Sequence, residues 1–324
     1  MPQSIRIHEH GGPDVMRLEP IDHEPLGTRQ VRIRQTAVGV NFIDTYDRSG
    51  LYSVSLPSGL GREAAGVVVE VGHGVNAYKQ GDRVAYASNK PGAYVEERVM
   101  DVARVVKLPD SITDQQAAAL MLKGLTAWFL LRRCHCVRRN EPVLLHAAAG
   151  GVGLILLQWA TALGAKVIAV VGNDEKAALV RAHGAAEVIV SAREDLVERV
   201  RAITKDRGVP VVYDGVGKNT FFASLDCLAP RGLMVSYGNA SGAVPPFAPL
   251  ELSKRGSLFL TRPVLFHYIA KGSELARGVR ELFEIVGSGK VRVRIGQTYP
   301  LVDAAQAHRD LEARRTTGST LLIP

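Results

Sequence analysis

The periodicity of hydrophobic and polar positions changes near residue 113. Before it, short segments alternate. Gln30–Val40 (QVRIRQTAVGV) places Val31, Ile33 and Gln35 on one side, the period-two pattern of a half-buried strand. Glu63–Val71 and Arg83–Tyr86 read as further strands, separated by turns marked by Gly72, Gly74 and Gly81. No long amphipathic helix precedes Asp114, so a compact, mostly antiparallel, barrel-like domain is expected. Beyond Thr113, which has the chemistry of a helix N-cap, Gln115–Leu131 is helical in composition. A regular alternation follows. Strand Val143–His146 leads to helix Leu154–Leu163, strand Lys166–Val171 to helix Glu175–His183, and strand Glu187–Val190 to helix Glu194–Thr204. Strand Val209–Tyr213 leads to helix Thr220–Leu228, then come Leu233–Tyr237 and an apolar run, Ser257–Thr261, suited to a sheet edge. Such a series implies an α/β fold with a doubly wound parallel sheet, because right-handed crossovers leave few other arrangements. Helix Glu274–Gly287 and a last strand, Ser319–Ile323, are expected to fold back onto the first domain.

One stretch in this alternation carries chemistry. Pro142–Thr161 (PVLLHAAAGGVGLILLQWAT) reads as a buried strand, a run of small residues and an apolar helix. Gly150, Gly151 and Gly153 keep side chains out of the turn, so a diphosphate can approach the backbone N–H groups at the helix start. The spacing is Gly-Gly-x-Gly, not Gly-x-Gly-x-x-Gly, and taken alone it describes a ligand-free tight turn equally well. The later strands add to it. In a doubly wound sheet, ligands bind outside the carboxyl ends of the strands. That rule gathers Ala147–Gly153, Gly172–Lys176, Asp214–Gly217 and Gly238–Ser241 around one crevice, each rich in glycine or small polar residues. The second strand ends Val170-Val171-Gly172-Asn173, without the acidic residue that holds the ribose of NADH. Asp174 and Glu175 suit the helix start that follows, while Lys176 and Arg193 suit a 2′-phosphate. NADPH is therefore the expected cofactor.

Bulk properties narrow the alternatives. The 324 residues suffice for two domains. The net charge of +8 comes from dispersed arginines with no interleaved stacking aromatics, which argues against nucleic acid as the main partner. The first residues, MPQSIRIHEHGG, carry charge where an export signal needs an apolar core. The most apolar window, Val143–Ala160, holds His146, glycines and Gln158, and suits a buried βα unit better than membrane insertion. Cys134, Cys136 and Cys227 form no disulfide framework and suit a reducing, cytoplasmic setting. Cys134-His135-Cys136 lacks the paired spacing of a structural zinc site and reads as a polar helix end.

The combination NFIDTYDRSGLY (Asn41–Tyr52), LGREAAGVV (Leu60–Val68), GVNAYKQGDRVAY (Gly74–Tyr86), LKGLTAW (Leu122–Trp128), HAAAGGVG (His146–Gly153), VVYDGVG (Val211–Gly217), GLMVSYGNASG (Gly232–Gly242) and the closing STLLIP spans almost the whole chain. In these segments it resembles the medium-chain dehydrogenase/reductase superfamily and, within it, the zinc-free NADPH:quinone oxidoreductases of the zeta-crystallin type. The resemblance implies a GroES-like catalytic domain from residues 1–122 and 264–324 and a Rossmann domain from 123–263. It implies a homodimer joined through the edge strand near Ser257–Thr261. Zinc-dependent relatives carry a cysteine where this chain has Asn41 and a histidine where it has Arg62, and they have a four-cysteine lobe that is missing here. Without a Lewis acid, a simple carbonyl is hard to polarise, whereas a quinone is already electrophilic and gains most from being oriented.

By the same resemblance, Asn41, Phe42, Tyr46, Tyr52 and Lys123 approach the nicotinamide or the substrate, a small-molecule quinone. Thr126, Gly150, Gly151 and Val152 belong to the diphosphate side, and Gly172 and Lys176 to the adenosine side. Gly238, Asn239, Ser241 and Phe266 line the remainder, with Arg314 reaching from the C-terminal segment. Relatives often place a tyrosine where this chain has Ser191, so that adenosine contact is made differently. Two alternatives share these motifs: a zinc-free reductase of enone or enoyl double bonds, and a cofactor-binding protein whose main role is RNA binding or structural.

Overall fold

The computed structural model describes residues 1–324 and divides them into two compact units, Met1–Lys123 with Val293–Pro324, and Gly124–Arg292. In the second unit the alternation forms a six-stranded, all-parallel sheet. Its order in space is Glu187–Val190, Lys166–Val171, Pro142–Leu145, Val209–Asp214, Leu228–Ser236 and Phe259–Thr261. Order reverses beside Pro142–Leu145, which pairs with the strand that follows it on one side and with Val209–Asp214 on the other. Both neighbours being strands, its Val143, Leu144 and Leu145 are wholly buried, as a doubly covered parallel strand requires.

In the first unit, Gln30–Val40 is the pivotal strand. It pairs antiparallel with Glu63–Val71, Glu97–Asp101 and the C-terminal strand Ser319–Ile323. Val31, Ile33 and Gln35 are buried while Arg34 and Thr36 are exposed, as the alternation predicts. The seven-stranded sheet is antiparallel except where Ile295–Pro300 and Ser319–Ile323 run parallel, and a small three-stranded sheet contains Gln3–Ile7. No helix is long and apolar enough to cross a membrane.

Several of the differences from the expectation have a physical cause that the structure shows. The helix over Gln115–Leu131 is broken into Asp114–Ala118, Met121–Phe129 and a π-helical turn, Leu130–Cys134. The Thr113 cap is present, its hydroxyl accepting the Gln116 N–H at 3.2 Å. The second helix starts afresh where the Leu122 N–H leaves the helical ladder for a Glu63 carboxylate oxygen at 2.6 Å, a favourable charge for a helix N-terminus. The helix expected from Glu194 begins at Leu196, because Asp195 caps it through the Glu198 N–H. The strand expected at Leu233 starts at Leu228. Ser257 turns the chain with φ 57°, so the edge strand is only Phe259–Thr261.

The chain also rejoins the first unit at Val293, not at residue 264, and leaves it after Lys123, not after residue 122. The helix Gly272–Gly287 explains the later return. At Gly278 an added Cβ would lie 3.0 Å from the Trp128 ring, and Glu281 accepts the Trp128 indole N–H at 3.0 Å. That helix therefore belongs to the core of the parallel-sheet unit.

The C-terminal helix Ala304–Glu312 is tied to helix Phe42–Ser49 through Arg48. Its guanidinium reaches His308 Nδ1 at 2.9 Å and Glu312 at 2.6 Å. Burial, and secondarily Arg48, hold the His308 imidazole down to about 3. The folded state thus refuses a proton that the unfolded state accepts near 6.5, so this part of the stability is lost as pH falls from about 6.5 towards 3. Asp44 acts in the opposite sense, since its carboxyl, raised to about 7, takes up a proton in the folded state first. Replacing His308 isolates one term from the other. The fall in Tm between pH 7 and pH 5 is expected to be smaller in His308→Gln than in the native chain, by calorimetry at each pH; an equal fall would show that His308 does not resist protonation.

Candidate functional site

In the parallel-sheet unit the glycine turn is built backbone against backbone. After Leu145 the chain turns at Ala147, φ 50°, and Gly150 caps helix Gly151–Ala162 without any side chain. The first amides of that helix therefore have no side-chain acceptor at the cap and point outward as donors. A Cβ on Gly153 would sit 2.3 Å from the Ala147 carbonyl oxygen, so this glycine is what lets helix and strand close up. Gly150 and Val152 are half-buried.

The carboxyl end of Lys166–Val171 offers a second small surface. Gly172 is exposed, and a Cβ there would meet nothing within 4 Å. Asn173 Oδ1 accepts the Lys176 N–H at 2.9 Å, capping helix Asp174–Ala182. Asp174 is paired with Arg193 at 2.5 Å. The Arg193 hydrogen bond holds the Asp174 carboxyl below its usual range, so the acid nearest the strand tip is neutralised by a cation from the next turn. The Ser191 amide and hydroxyl both bond back to the Val171 carbonyl, at 2.9 and 3.2 Å.

Asp214, at the end of Val209–Asp214, organises the third surface. One of its oxygens accepts the N–H groups of Val216 and Gly217, at 2.7 and 3.1 Å. The other accepts the hydroxyls of Thr220 and Ser224, at 2.7 and 3.2 Å. Ser224 in turn meets His146 Nε2 at 2.9 Å, and burial lowers the affinity of that imidazole for a proton. The turn so held packs against 238–242: the Ser241 amide and hydroxyl both reach the Val216 carbonyl at 2.8 Å, and a Cβ on Gly238 would lie 2.5 Å from the Gly215 oxygen. Asn239 lies in this packed pair of turns, half-buried. Thr126 and Phe266 are also half-buried in this unit.

In the first unit, Asn41 is the cap of helix Phe42–Ser49. Its amide Nδ2 donates to Glu63 Oε1 at 2.9 Å, and Lys123 Nζ meets the same oxygen at 2.5 Å. Glu63 is fully buried, Lys123 is 4 % exposed and Asn41 7 %. A buried ammonium and a carboxamide are thus held side by side by one carboxylate. Phe42, Tyr46 and Tyr52 form a run of rings beside Asn41, with centroids 6.3 Å apart for the first pair and 5.2 Å for the second. Arg62 binds Asp47 through two hydrogen bonds of 2.8 Å. No group of three or more His, Cys, Asp or Glu side chains is arranged to hold a metal ion. Arg314 lies exposed just after helix Ala304–Glu312, in a left-handed conformation with φ 58°.

Sequence reasoning took Glu63 only as the start of a strand and Asp214 only as the first residue of the crevice stretch Asp214–Gly217, and gave neither a role as a hub. Glu63 has a local signal, an acid opening a strand whose next six residues are apolar or glycine. Asp214 has another, an acid ending a buried strand just before Gly215 and Gly217. Neither signal distinguishes a buried hub from a surface charge without the pairing of strands.

Residues 27–110 match the alcohol dehydrogenase GroES-like domain and residues 151–284 the zinc-binding dehydrogenase family. A quinone oxidoreductase of Pseudomonas aeruginosa is 51 % identical over the full length of both chains. A 2-haloacrylate reductase of a Burkholderia species is 44 % identical over 98 % of each. The crystal structure of Escherichia coli quinone oxidoreductase complexed with NADPH superposes with a TM-score of 0.97 at 49 % identity, covering 99 % of this chain and 100 % of that one.

The turn geometry makes a contrast between two glycines. Gly153→Ala is expected to cost about 1–3 kcal/mol by overpacking against the Ala147 carbonyl, whereas Gly172→Ala should stay within about 0.5 kcal/mol of the parent. Urea unfolding of both variants measures this, and equal midpoints would remove the packing role of Gly153.

Proposed function

Because the chain belongs to the quinone oxidoreductases, within the medium-chain dehydrogenase/reductase superfamily, we propose that it reduces quinones with NADPH, which supplies the hydride, and without a metal. The observation that carries this reading is the Asn41–Glu63–Lys123 cluster together with the Arg62–Asp47 pair. Where zinc-dependent relatives place two ligands, this chain places a carboxamide, whose nitrogen donates to Glu63, and a guanidinium, and neither is a thiolate, imidazole or carboxylate of the kind that holds zinc. The zinc in the family description therefore does not carry over.

The residues of the parallel-sheet unit fit the dinucleotide. The amides at 150–152 meet a diphosphate, the side-chain-free Gly172 leaves room for the adenosine, and Lys176 with Arg193 meets the 2′-phosphate. Asp174 does not oppose this charge, because Arg193 neutralises it. In the first unit, Lys123 has three N–H donors and Glu63 needs one, which leaves the ammonium able to bond a quinone oxygen as charge develops there. Burial strengthens that interaction. Tyr46 and Tyr52 flank the position and orient a flat ring. Protons come from water or from one of these tyrosines.

Reduction of an electron-poor carbon–carbon double bond is the second reading, favoured by the similarity to the 2-haloacrylate reductase. The protein acts in the cytoplasm, where its three free cysteines stay reduced. It forms a homodimer through Phe259–Thr261, an edge strand that exposes Phe259 by 61 % and Leu260 by 36 % and offers unpaired backbone groups.

Three measurements check these assignments. NADPH oxidation is expected to be faster with a small quinone than with an unsaturated ketone or 2-haloacrylate, and to persist with a chelator. Lys176→Ala should weaken NADPH binding about tenfold, the order of one charge-assisted hydrogen bond, and leave NADH binding unchanged; loss of both alike would remove Lys176 from the phosphate. For assembly, Phe259→Lys should convert a dimer to monomers in sedimentation, and a mass unchanged by the substitution would place the interface elsewhere.

A further inference from the structure

One buried acid has no part in the reading above. Asp44, in the first turn of helix Phe42–Ser49, is fully buried. Its Oδ2 accepts the Asn41 N–H at 2.8 Å and the Tyr94 hydroxyl at 2.9 Å, while its Oδ1 has no hydrogen-bond partner. Such an atom, wholly buried and unpaired, calls for an explanation.

The direction of the surrounding hydrogen bonds follows from the donors involved. A guanidinium has no acceptor, so Arg48 Nη1 donates to His308 Nδ1 at 2.9 Å. The imidazole is neutral, held to about 3 by burial and Arg48, so its proton lies on Nε2. That N–H points to the Tyr94 oxygen, also at 2.9 Å. Burial keeps the Tyr94 phenol protonated, and its proton is left to donate to Asp44 Oδ2. Three side chains from three segments therefore aim one directed chain of donors at a single carboxylate oxygen.

We propose that Asp44 is a positioning residue for the quinone site. Oriented by the chain Arg48–His308–Tyr94, its carboxylate grips the Asn41 N–H and fixes the turn from which the Asn41 amide meets Glu63 beside Lys123. This rests on the reading that Asn41 belongs to the site.

The charge of Asp44 is poised. Burial first and the like charge of Asp47 second raise its carboxyl to about 7, against the Asn41 N–H, the Tyr94 hydroxyl and the Arg62 guanidinium, which favour the ionised form. The other charged groups of the neighbourhood are paired: Arg62 with Asp47, Lys123 with Glu63, and Arg48 with Glu312. Ionised, Asp44 accepts both donors on Oδ2. Protonated on Oδ1, its proton has no acceptor; protonated on Oδ2, it competes with the donors already there. Either way the hold on Asn41 weakens as pH falls through about 7.

The test measures kcat and KM for 1,4-benzoquinone at saturating NADPH, from about pH 5.5 to 9, in the native enzyme, Asp44→Asn, Tyr94→Phe and Asn41→Ala. The native kcat/KM is expected to rise with a single-proton midpoint near neutrality. Asp44→Asn should lose that rise and fall about tenfold below native at alkaline pH, the order of one charge-assisted hydrogen bond. Tyr94→Phe removes a donor to the carboxylate, so its midpoint should move to higher pH. Infrared difference spectra between acid and neutral samples give a readout independent of turnover: a protonated-carboxyl carbonyl band present in native protein and missing in Asp44→Asn. If Asp44→Asn fails to fold, the Tyr94→Phe midpoint and the native infrared band carry the test. A flat native profile, an Asp44→Asn profile that keeps the rise, an unmoved Tyr94→Phe midpoint or a missing band would each overturn the proposal while leaving the quinone reading intact. Unchanged turnover in Asn41→Ala would instead overturn the placing of Asn41, and the proposal with it.

Discussion

The buried carboxylate of Glu63 is the interaction on which the first unit depends. It opens one strand, receives the carboxamide of a helix cap, takes an ammonium and starts a helix by capturing the Leu122 amide. An isolated carboxylate in such a place would be strongly unfavourable. Its cost is offset only because three donors converge on it from two distant segments, one at Asn41 and the other at Leu122–Lys123. Breaking such a buried pair from one side typically costs about 3–5 kcal/mol, so the cluster locks strand, cap and helix start into one arrangement. The same arrangement that settles the fold here also sets out the donors that chemistry needs.

The parallel-sheet unit works on the opposite principle, by leaving side chains out. Its central strands are buried on both faces and end in turns where glycine and small polar residues let backbones touch. Asp214 is the exception that makes those turns rigid: four donors converge on it, two of them amides of the turn itself. One unit is thus held by a charge fully surrounded with partners. The other presents bare amides around a polar hub, which suits an anionic, extended ligand.

Much of this was legible in the chain. The period-two pattern of Gln30–Val40 and the strand–helix alternation after Thr113 located the pivotal strand of the first unit and the strands of the parallel sheet, because in each the burial pattern is set locally by strand or helix geometry. The glycine turn was legible for the same reason, since strand, small residues and helix lie contiguous in sequence. What escaped depends on distant partners. The break after Ala118 is made by Glu63, some sixty residues earlier, and the late return at Val293 is made by Trp128 accepting a helix from far downstream. The Asp44 network joins positions 48, 94 and 308, and no window of sequence contains them together.

Gly39 brings out a last consequence. A methyl group there would fall 2.4 Å from both a Glu63 oxygen and the Ala118 carbonyl, so the charged cluster occupies space that this residue concedes. Tolerance to change is therefore inverted around the site. Side chains with evident chemistry have conservative substitutes, while the residue with no side chain has none. A library built to broaden the substrate range would do well to leave that silent position untouched.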